Sequence, residues 1–311
     1  MDGIKVIENA DGKKYSSFLS GGKIKKLYLP ENENEVVRAV EYLTEKNEKF
    51  FILGNGTNTL ISDDGVGNVM CLKRVKGVEV RGAEIVGRCG ETMKSLYRAA
   101  ERNGLSGLEE LSGIPGTLGG ALTMNAGAFG AEIGDYVTEI TVLHGGIVQK
   151  IPKSDLWFSY RDSVVKKKGY VVLSATLRLK RKDKSAWKLY SIKATKSPIA
   201  KVPEPNGSRA NQTIATIMAM IRRAAQPDSP SLGSTFKKHD LVSAAYYIDA
   251  LNLKGFSEGG AKVSEKHAGF IINSGGATSR DYKILSDAIS DKVKCAFGIS
   301  LEREIEIIGN I

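Results

Sequence analysis

No apolar run in this chain approaches the roughly 20 residues that a membrane-spanning helix needs. The opening residues, Met1-Asp2-Gly3-Ile4-Lys5, lack the apolar core of a signal peptide. The expectation is therefore a protein of the cytoplasm that does not enter a membrane. Cysteine is scarce: Cys71, Cys89 and Cys295 are odd in number, far apart and without close-spaced partners. That supports neither a disulfide framework nor a zinc site, and each reads as a small core hydrophobe. No internal repeat is evident. With 311 residues, 41% hydrophobic and 26% charged, the chain has the composition of a globular protein long enough for two domains.

Acidic residues are also in deficit, and the net charge of +10 raises the question of a nucleic-acid partner. The excess is local. Between Arg178 and Lys201 there are nine basic residues and one acid, Asp183, and they account for most of it. No aromatic-rich RNA-binding signature or helix-turn-helix pattern accompanies them, so a solvated basic loop is the expectation and nucleic acid is not.

What the chain does have is glycine in one place. Residues Gly113 to Gly130 hold six glycines in eighteen positions, interleaved with Ile114, Leu118, Leu122, Met124 and Phe129. A core helix or strand does not carry that load, because each glycine costs backbone entropy and offers nothing to pack. A flexible linker would carry Ser, Lys and Glu instead. The stretch reads as a backbone wall against a large, partly anionic ligand. A second glycine-dense turn, Gly54-Asn55-Gly56-Thr57-Asn58, follows the apolar run Phe50-Phe51-Ile52-Leu53, read as a buried strand. Thr59 stands where a dinucleotide fingerprint has its third glycine, and no Gly-Lys-Ser/Thr follows. Alone, the turn fits an ordinary tight turn equally well; with Gly113 to Gly120 it points to one ligand bearing two phosphates.

Periodicity places these turns in a mixed α+β domain over residues 21–180, preceded by a segment 1–20. Asn34 is positioned to cap a helix carrying Val36, Val37, Val40 and Leu43. Met93, Leu96, Tyr97 and Ala100 mark a second helix, and strands are expected near Val69 to Leu72, Val78 to Val80, Ile85 to Gly87, Glu139 to Leu143, Gly146 to Ile151 and Tyr170 to Leu179. A basic, proline-bearing excursion over 181–211 separates this from a second α+β domain over 212–311. There, Ile214, Ile217, Met218 and Ile221 suggest one helix, and Tyr282, Leu285, Ile289 and Val293 another, capped near Thr278 or Ser279. Leu301 to Ile308 alternates as a last strand, with Glu302, Glu304 and Glu306 on one face.

Chemistry-bearing residues cluster in three stretches. Ser234, next to Gly233 and near Lys237, reads either as a catalytic hydroxyl on a loop or as part of a proline-rich turn. His239 and His267 are candidate bases, yet no Gly-x-Ser-x-Gly elbow exists. Glu304 and its neighbours are a solvated face or, in a cleft, proton-handling groups. Arg161, beside Trp157, Phe158 and Tyr160, is a stacked arginine or an anion clamp.

In order along the chain, Gly54 to Asn58, Gly113 to Gly130, Phe158 to Ser163, Pro230 to Lys237, Gly259 to Ser264, His267 to Asn273 and Leu301 to Glu304 resemble the UDP-N-acetylenolpyruvoylglucosamine reductase family of flavoenzymes. The resemblance implies an FAD-binding domain of the vanillyl-alcohol-oxidase (PCMH) type followed by a smaller substrate-binding domain, in the subtype without a tyrosine-bearing insertion. It implies FAD held non-covalently by Gly54, Asn55, Gly56, Thr57, Asn58, Gly113, Ile114, Pro115, Gly116, Thr117, Gly119, Gly120 and Asn125. It further implies NADPH as reductant and UDP-N-acetylglucosamine enolpyruvate as substrate, reduced to UDP-N-acetylmuramate for peptidoglycan. Hydride would pass from flavin N5 to C3 and a proton from Ser234 to C2, with Arg161 and Glu304 stabilising the substrate carboxylate, and Lys237, Tyr160 and Gly233 binding substrate. Lys238 stands where the family usually has Asn. Other readings are a different FAD-dependent oxidoreductase of the superfamily or a non-catalytic basic binding protein. A monomer is compatible with the sequence.

Overall fold

The computed structural model of the chain describes residues 3–181 and 214–310. They form two compact units: Met1–Pro30, Glu41–Cys71 and Gln226–Ile311 in the first, Glu31–Val40 and Leu72–Ala225 in the second. Packing thus divides the chain discontinuously, unlike the linear division expected at 21–180 and 212–311. Beyond Arg181, the expected basic excursion lies outside the described residues.

The first unit begins with a four-stranded sheet in the order Lys5–Asp11, Lys23–Leu29, Val66–Cys71, Phe50–Leu53. The first pair is antiparallel and the other two are parallel. Segment 1–20, which carries no strand signal in the sequence reading, therefore supplies a strand. The Phe50–Leu53 strand forms but is not buried as expected: it is the last in the sheet, and Phe51 and Ile52 are 40% and 41% exposed. Ile24, Leu27, Leu53, Val69 and Cys71 close the core beneath.

The C-terminal part of this unit builds a second sheet, Ser231–Ser234, Phe270–Asn273, Ala261–Val263, Ser257–Glu258. The helix Ser279–Phe297 starts where expected. Thr278 caps it, and Asp281 returns a bond to the cap in a reciprocal capping box. Its Tyr282, Leu285, Ile289 and Val293 are buried with Leu232, Phe236, Ile248 and Ile271. The expected strand from Leu301 to Ile308 is corrected: it is an isolated bridge, Phe236 with Arg303, followed by a short strand, Glu306–Ile308, parallel to Thr59–Ile61. The segment changes partner midway, so Glu302, Glu304 and Glu306 do not share one ladder, and Glu302 alone of them is exposed.

The second unit is built on an antiparallel sheet ordered Ile147–Pro152, Val137–His144, Val171–Arg178, Glu84–Arg88, Val78–Arg81. The helix Met93–Arg102, capped by Thr92, buries all four expected apolar residues. The glycine-rich stretch is not free of regular structure as argued from its glycine load, since Leu118–Thr123 is a short helix capped by Thr117. The helix Ile214–Ala225, expected to open the C-terminal domain, belongs to this unit. The helix Glu33–Glu45 is capped by Asn32 rather than Asn34, the Asn32 carboxamide oxygen accepting from Glu35 N–H at 3.0 Å. Among the described residues no helix is long and apolar enough to cross a membrane.

Candidate functional site

In the first unit, the Ser231–Ser234 strand pairs with Phe270–Asn273 through a bulge: Ser231 faces Ile272 and Ser234 faces Phe270. Gly233, at φ +82°, makes the extra residue possible, and a Cβ there would meet nothing within 4 Å. Bulges re-aim the side chain beside them. Ser234 is therefore a strand-end residue rather than the loop residue expected, and its hydroxyl bonds to no group among the described residues.

Immediately after it, the chain pairs with the segment carrying Glu304. Glu304 N–H donates to Thr235 O, and Lys237 N–H donates to Glu302 O, both at 2.9 Å. Lys237 Nζ lies 2.6 Å from the Glu302 carboxylate. The turn Gly54 to Asn58 joins the same place: Asn58 Nδ2 donates to Glu304 O at 3.1 Å, and Asn58 O accepts from Glu306 N–H at 2.9 Å. Thus Ser234, Glu304, Lys237 and this turn, dispersed in sequence, converge within one unit.

The turn shows its carbonyls to the protein. Gly56 O accepts from Ser17 N–H at 2.9 Å and Gly54 O from the Cys71 thiol at 3.4 Å, whereas the amides of Asn55 and Gly56 donate to nothing among the described residues. Gly56 itself serves the fold, because a Cβ at its φ of +66° would collide with Tyr15 O. The histidines assemble no hydrolytic pair with Ser234. His267 Nδ1 accepts from Gly269 N–H at 3.1 Å, with burial holding its pKa below the usual value, and His239 lies 3.8 Å from Asp240.

In the second unit, the glycine-rich wall is partly self-satisfied. Leu118 N–H donates to Glu91 O at 2.7 Å and Gly119 N–H to Cys89 O at 2.9 Å, while Gly120 N–H reaches the Thr117 cap at 3.4 Å. A Cβ on Gly119 would press on Cys89 at 3.3 Å, whereas one on Gly120 would meet only Thr117 Oγ1 at 3.5 Å. Ile114 N–H closes a turn onto Leu111 O at 3.0 Å, Gly116 holds φ +119°, and Pro115 is exposed. Asn125, expected to contact the cofactor, also pins the local structure. It is fully buried, and its amide spans Glu132 Oε2 at 2.6 Å, Ser159 O at 3.0 Å and Gly134 N–H at 3.1 Å.

Arg161 occupies the turn of a small hairpin at φ +56°, its guanidinium 5.1 Å from the Tyr160 ring and reaching toward Gly127 O at 3.5 Å. One residue escaped the sequence reading. Arg222 has a sealed Nε that bonds to nothing among the described residues, lies 5.8 Å from the Phe129 ring centroid, and sits 3.3 Å from where a Gly113 Cβ would be. Burial, and secondarily the like charge of Arg161, lower its pKa. The signal for it was present: Arg222 falls four residues after Met218, on the helix's buried stripe.

Two family matches fit this geometry. Residues 226–308 match the UDP-N-acetylenolpyruvoylglucosamine reductase C-terminal domain, and residues 24–146 match an FAD binding domain. The chain is 38% identical to the UDP-N-acetylenolpyruvoylglucosamine reductase of Caldanaerobacter subterraneus subsp. tengcongensis, over 98% of its own length and 94% of the relative's. The chain belongs to the UDP-N-acetylenolpyruvoylglucosamine reductase family. The reductase of Clostridium tetani is 35% identical, covering 96% of this chain and 90% of that one. The crystal structure of the Thermus caldophilus reductase matches with a TM-score of 0.76 at 30% identity, covering 98% and 99%.

As a member of this family the chain is an FAD-dependent oxidoreductase, and the expected order of an FAD-binding domain followed by a reductase C-terminal domain holds. The residues present fit the cofactor. An anionic dinucleotide calls for unpaired N–H donors, and in the first unit the amides of Asn55 and Gly56 donate to nothing among the described residues.

Proposed function

We propose that this chain catalyses the NADPH-dependent reduction of UDP-N-acetylglucosamine enolpyruvate to UDP-N-acetylmuramate, a cytoplasmic step toward peptidoglycan. Bound FAD supplies the two-electron carrier between NADPH and C3 of the enolpyruvyl group. The Gly54 to Asn58 turn and the wall from Gly113 to Gly120 bind it non-covalently through main-chain groups, with Arg222 offsetting anionic charge.

Ser234 Oγ gives its proton to C2, where negative charge accumulates as C3 is reduced. A serine hydroxyl is a weak acid, so a strongly basic carbon and a nearby cation are both required for the transfer. Lys237, three residues beyond Ser234, supplies the cation. Arg161 and Glu304 stabilise charge developing on the substrate carboxylate, and a guanidinium suits that task because its planar fork matches a carboxylate. Tyr160 and Gly233 border the substrate. The chain works as a monomer without a nucleic-acid partner.

The observation carrying this reading is Ser234: a hydroxyl re-aimed by a bulge, without a partner among the described residues, beside the segment that holds Glu304. The test is anaerobic. Purified protein reconstituted with FAD is reduced by NADPH, and UDP-N-acetylglucosamine enolpyruvate is then added. Bleaching followed by recovery of flavin absorbance supports the reading; bleaching without recovery assigns another acceptor.

A further inference from the structure

The strand that carries Ser234 and the segment that carries Glu304 are both anchored to one helix, by side chains outside the reaction described above. Tyr282, in the first turn of the helix Ser279–Phe297, is fully buried, and its hydroxyl donates to Thr235 Oγ1 at 3.0 Å. Thr235 is the residue after Ser234, it is buried, and its backbone is held on both sides: its N–H donates to Gly269 O and its O accepts from Glu304 N–H, each at 2.9 Å. One turn further along the helix, Ser286 Oγ accepts from Arg303 Nε at 2.9 Å and the Asp287 carboxylate pairs with the Arg303 guanidinium. Arg303 directly precedes Glu304.

Packing alone does not call for this arrangement. The Phe18 ring meets the Tyr282 ring edge-on, with centroids 4.9 Å apart, a contact that a phenylalanine at 282 would keep. What the phenol adds over phenylalanine is its hydroxyl, and burial raises its pKa so that it stays a neutral donor. Thr235, in turn, is buried, and its hydroxyl is paired with Tyr282, which belongs to the apolar cluster of Phe236, Leu285 and Ile289.

We infer that Tyr282 is a positioning residue that acts through Thr235: the Tyr282–Thr235 hydrogen bond fixes the rotation of the 234–235 backbone and so the aim of Ser234 Oγ relative to Glu304. The inference rests on the role proposed for Ser234. Its consequence is specific to one half-reaction. Reduction of the flavin by NADPH does not use the serine, so loosening Tyr282–Thr235 leaves that step alone and slows only the step in which C2 is protonated.

The test uses full-length holoenzyme carrying Tyr282→Phe, Thr235→Val or Thr235→Ser, with each half-reaction followed anaerobically by flavin absorbance. Misplacement of a reacting group by about 1 Å can cost about 10²-fold, so the smaller shift in Y282F and T235V should lower the maximal rate of reoxidation by UDP-N-acetylglucosamine enolpyruvate by roughly tenfold. Their rate of reduction by NADPH and their half-saturating substrate concentration should stay within about twofold of wild type. T235S, which keeps the hydroxyl, should restore reoxidation. Unchanged reoxidation in both Y282F and T235V overturns the inference, as does equal loss in both half-reactions or an equal loss in T235S. If Y282F does not fold, the contrast between T235V and T235S decides. A wild-type enzyme that NADPH reduces but the substrate does not reoxidise refutes the proposed reaction itself, a result separate from any difference among variants.

Discussion

Glu304 and Thr235, 69 positions apart, are joined by a main-chain hydrogen bond of 2.9 Å from Glu304 N–H to Thr235 O. The bond sets a carboxylate-bearing residue beside the neighbour of Ser234 through main-chain atoms. Asn58 extends the arrangement by donating to Glu304 O at 3.1 Å, so that one peptide segment is held from two directions. A proton donor and a charge-stabilising group need fixed separation more than they need strong individual bonds, and paired backbone supplies it.

Glycines in the two turns should respond differently to an added methyl. Gly56→Ala drives a Cβ into Tyr15 O at a left-handed φ of +66°. That should destabilise the protein by about 1–3 kcal/mol or more in urea unfolding. Gly120→Ala meets only an ordinary contact at 3.5 Å inside a helix, and helix propensity favours it by about 0.5–1 kcal/mol. The Gly120 variant should therefore fold normally and lose FAD affinity; equal destabilisation of both would show that Gly120 too is held by packing.

Arg222 carries a buried Nε that no group among the described residues satisfies. Arg222→Met keeps much of the apolar stem and removes the unpaired Nε. Apoprotein stability should stay level or rise, while FAD affinity, followed by quenching of flavin fluorescence, should fall about tenfold, the worth of one charge-assisted hydrogen bond. A destabilised apoprotein with unchanged FAD affinity would make Arg222 a structural cation instead.

His267 makes stability depend on pH. Burial lowers its folded pKa, so between about 6.5, the unfolded value, and that lower value the unfolded chain binds a proton that the folded chain does not. Stability should thus fall as pH drops below about 6.5 and level off once the folded histidine is also protonated. His267→Asn, with an oxygen able to accept from Gly269 N–H, should flatten that part of the curve in denaturant titrations at successive pH values. A slope unchanged by the substitution would place the proton uptake elsewhere.

Local signals were legible in the sequence. The start of the last helix was expected near Thr278 or Ser279, and Thr278 is its cap, with Tyr282, Leu285, Ile289 and Val293 following at helical period. The sequence also singled out Ser234, Lys237, Glu304 and the Gly54–Asn58 turn, which the first unit brings together. What was not legible depends on distant partners. Leu301 to Ile308 alternates like one strand, yet it pairs first with Phe236 and then with Thr59–Ile61. Gly56 also lies directly against Tyr15 O, and no pattern near residue 56 points to residue 15. The bulge at Gly233 required the register against Phe270, and Asn32 displaced Asn34 as a cap because Glu35 N–H lay within its reach.

The most direct measurement of the central claim is the pair of half-reactions in Ser234→Ala. The account predicts flavin reduction by NADPH at the wild-type rate and reoxidation by UDP-N-acetylglucosamine enolpyruvate slowed about 10²- to 10⁴-fold, the usual contribution of a positioned general acid. Reoxidation at the wild-type rate, or an equal loss in reduction by NADPH, would contradict it.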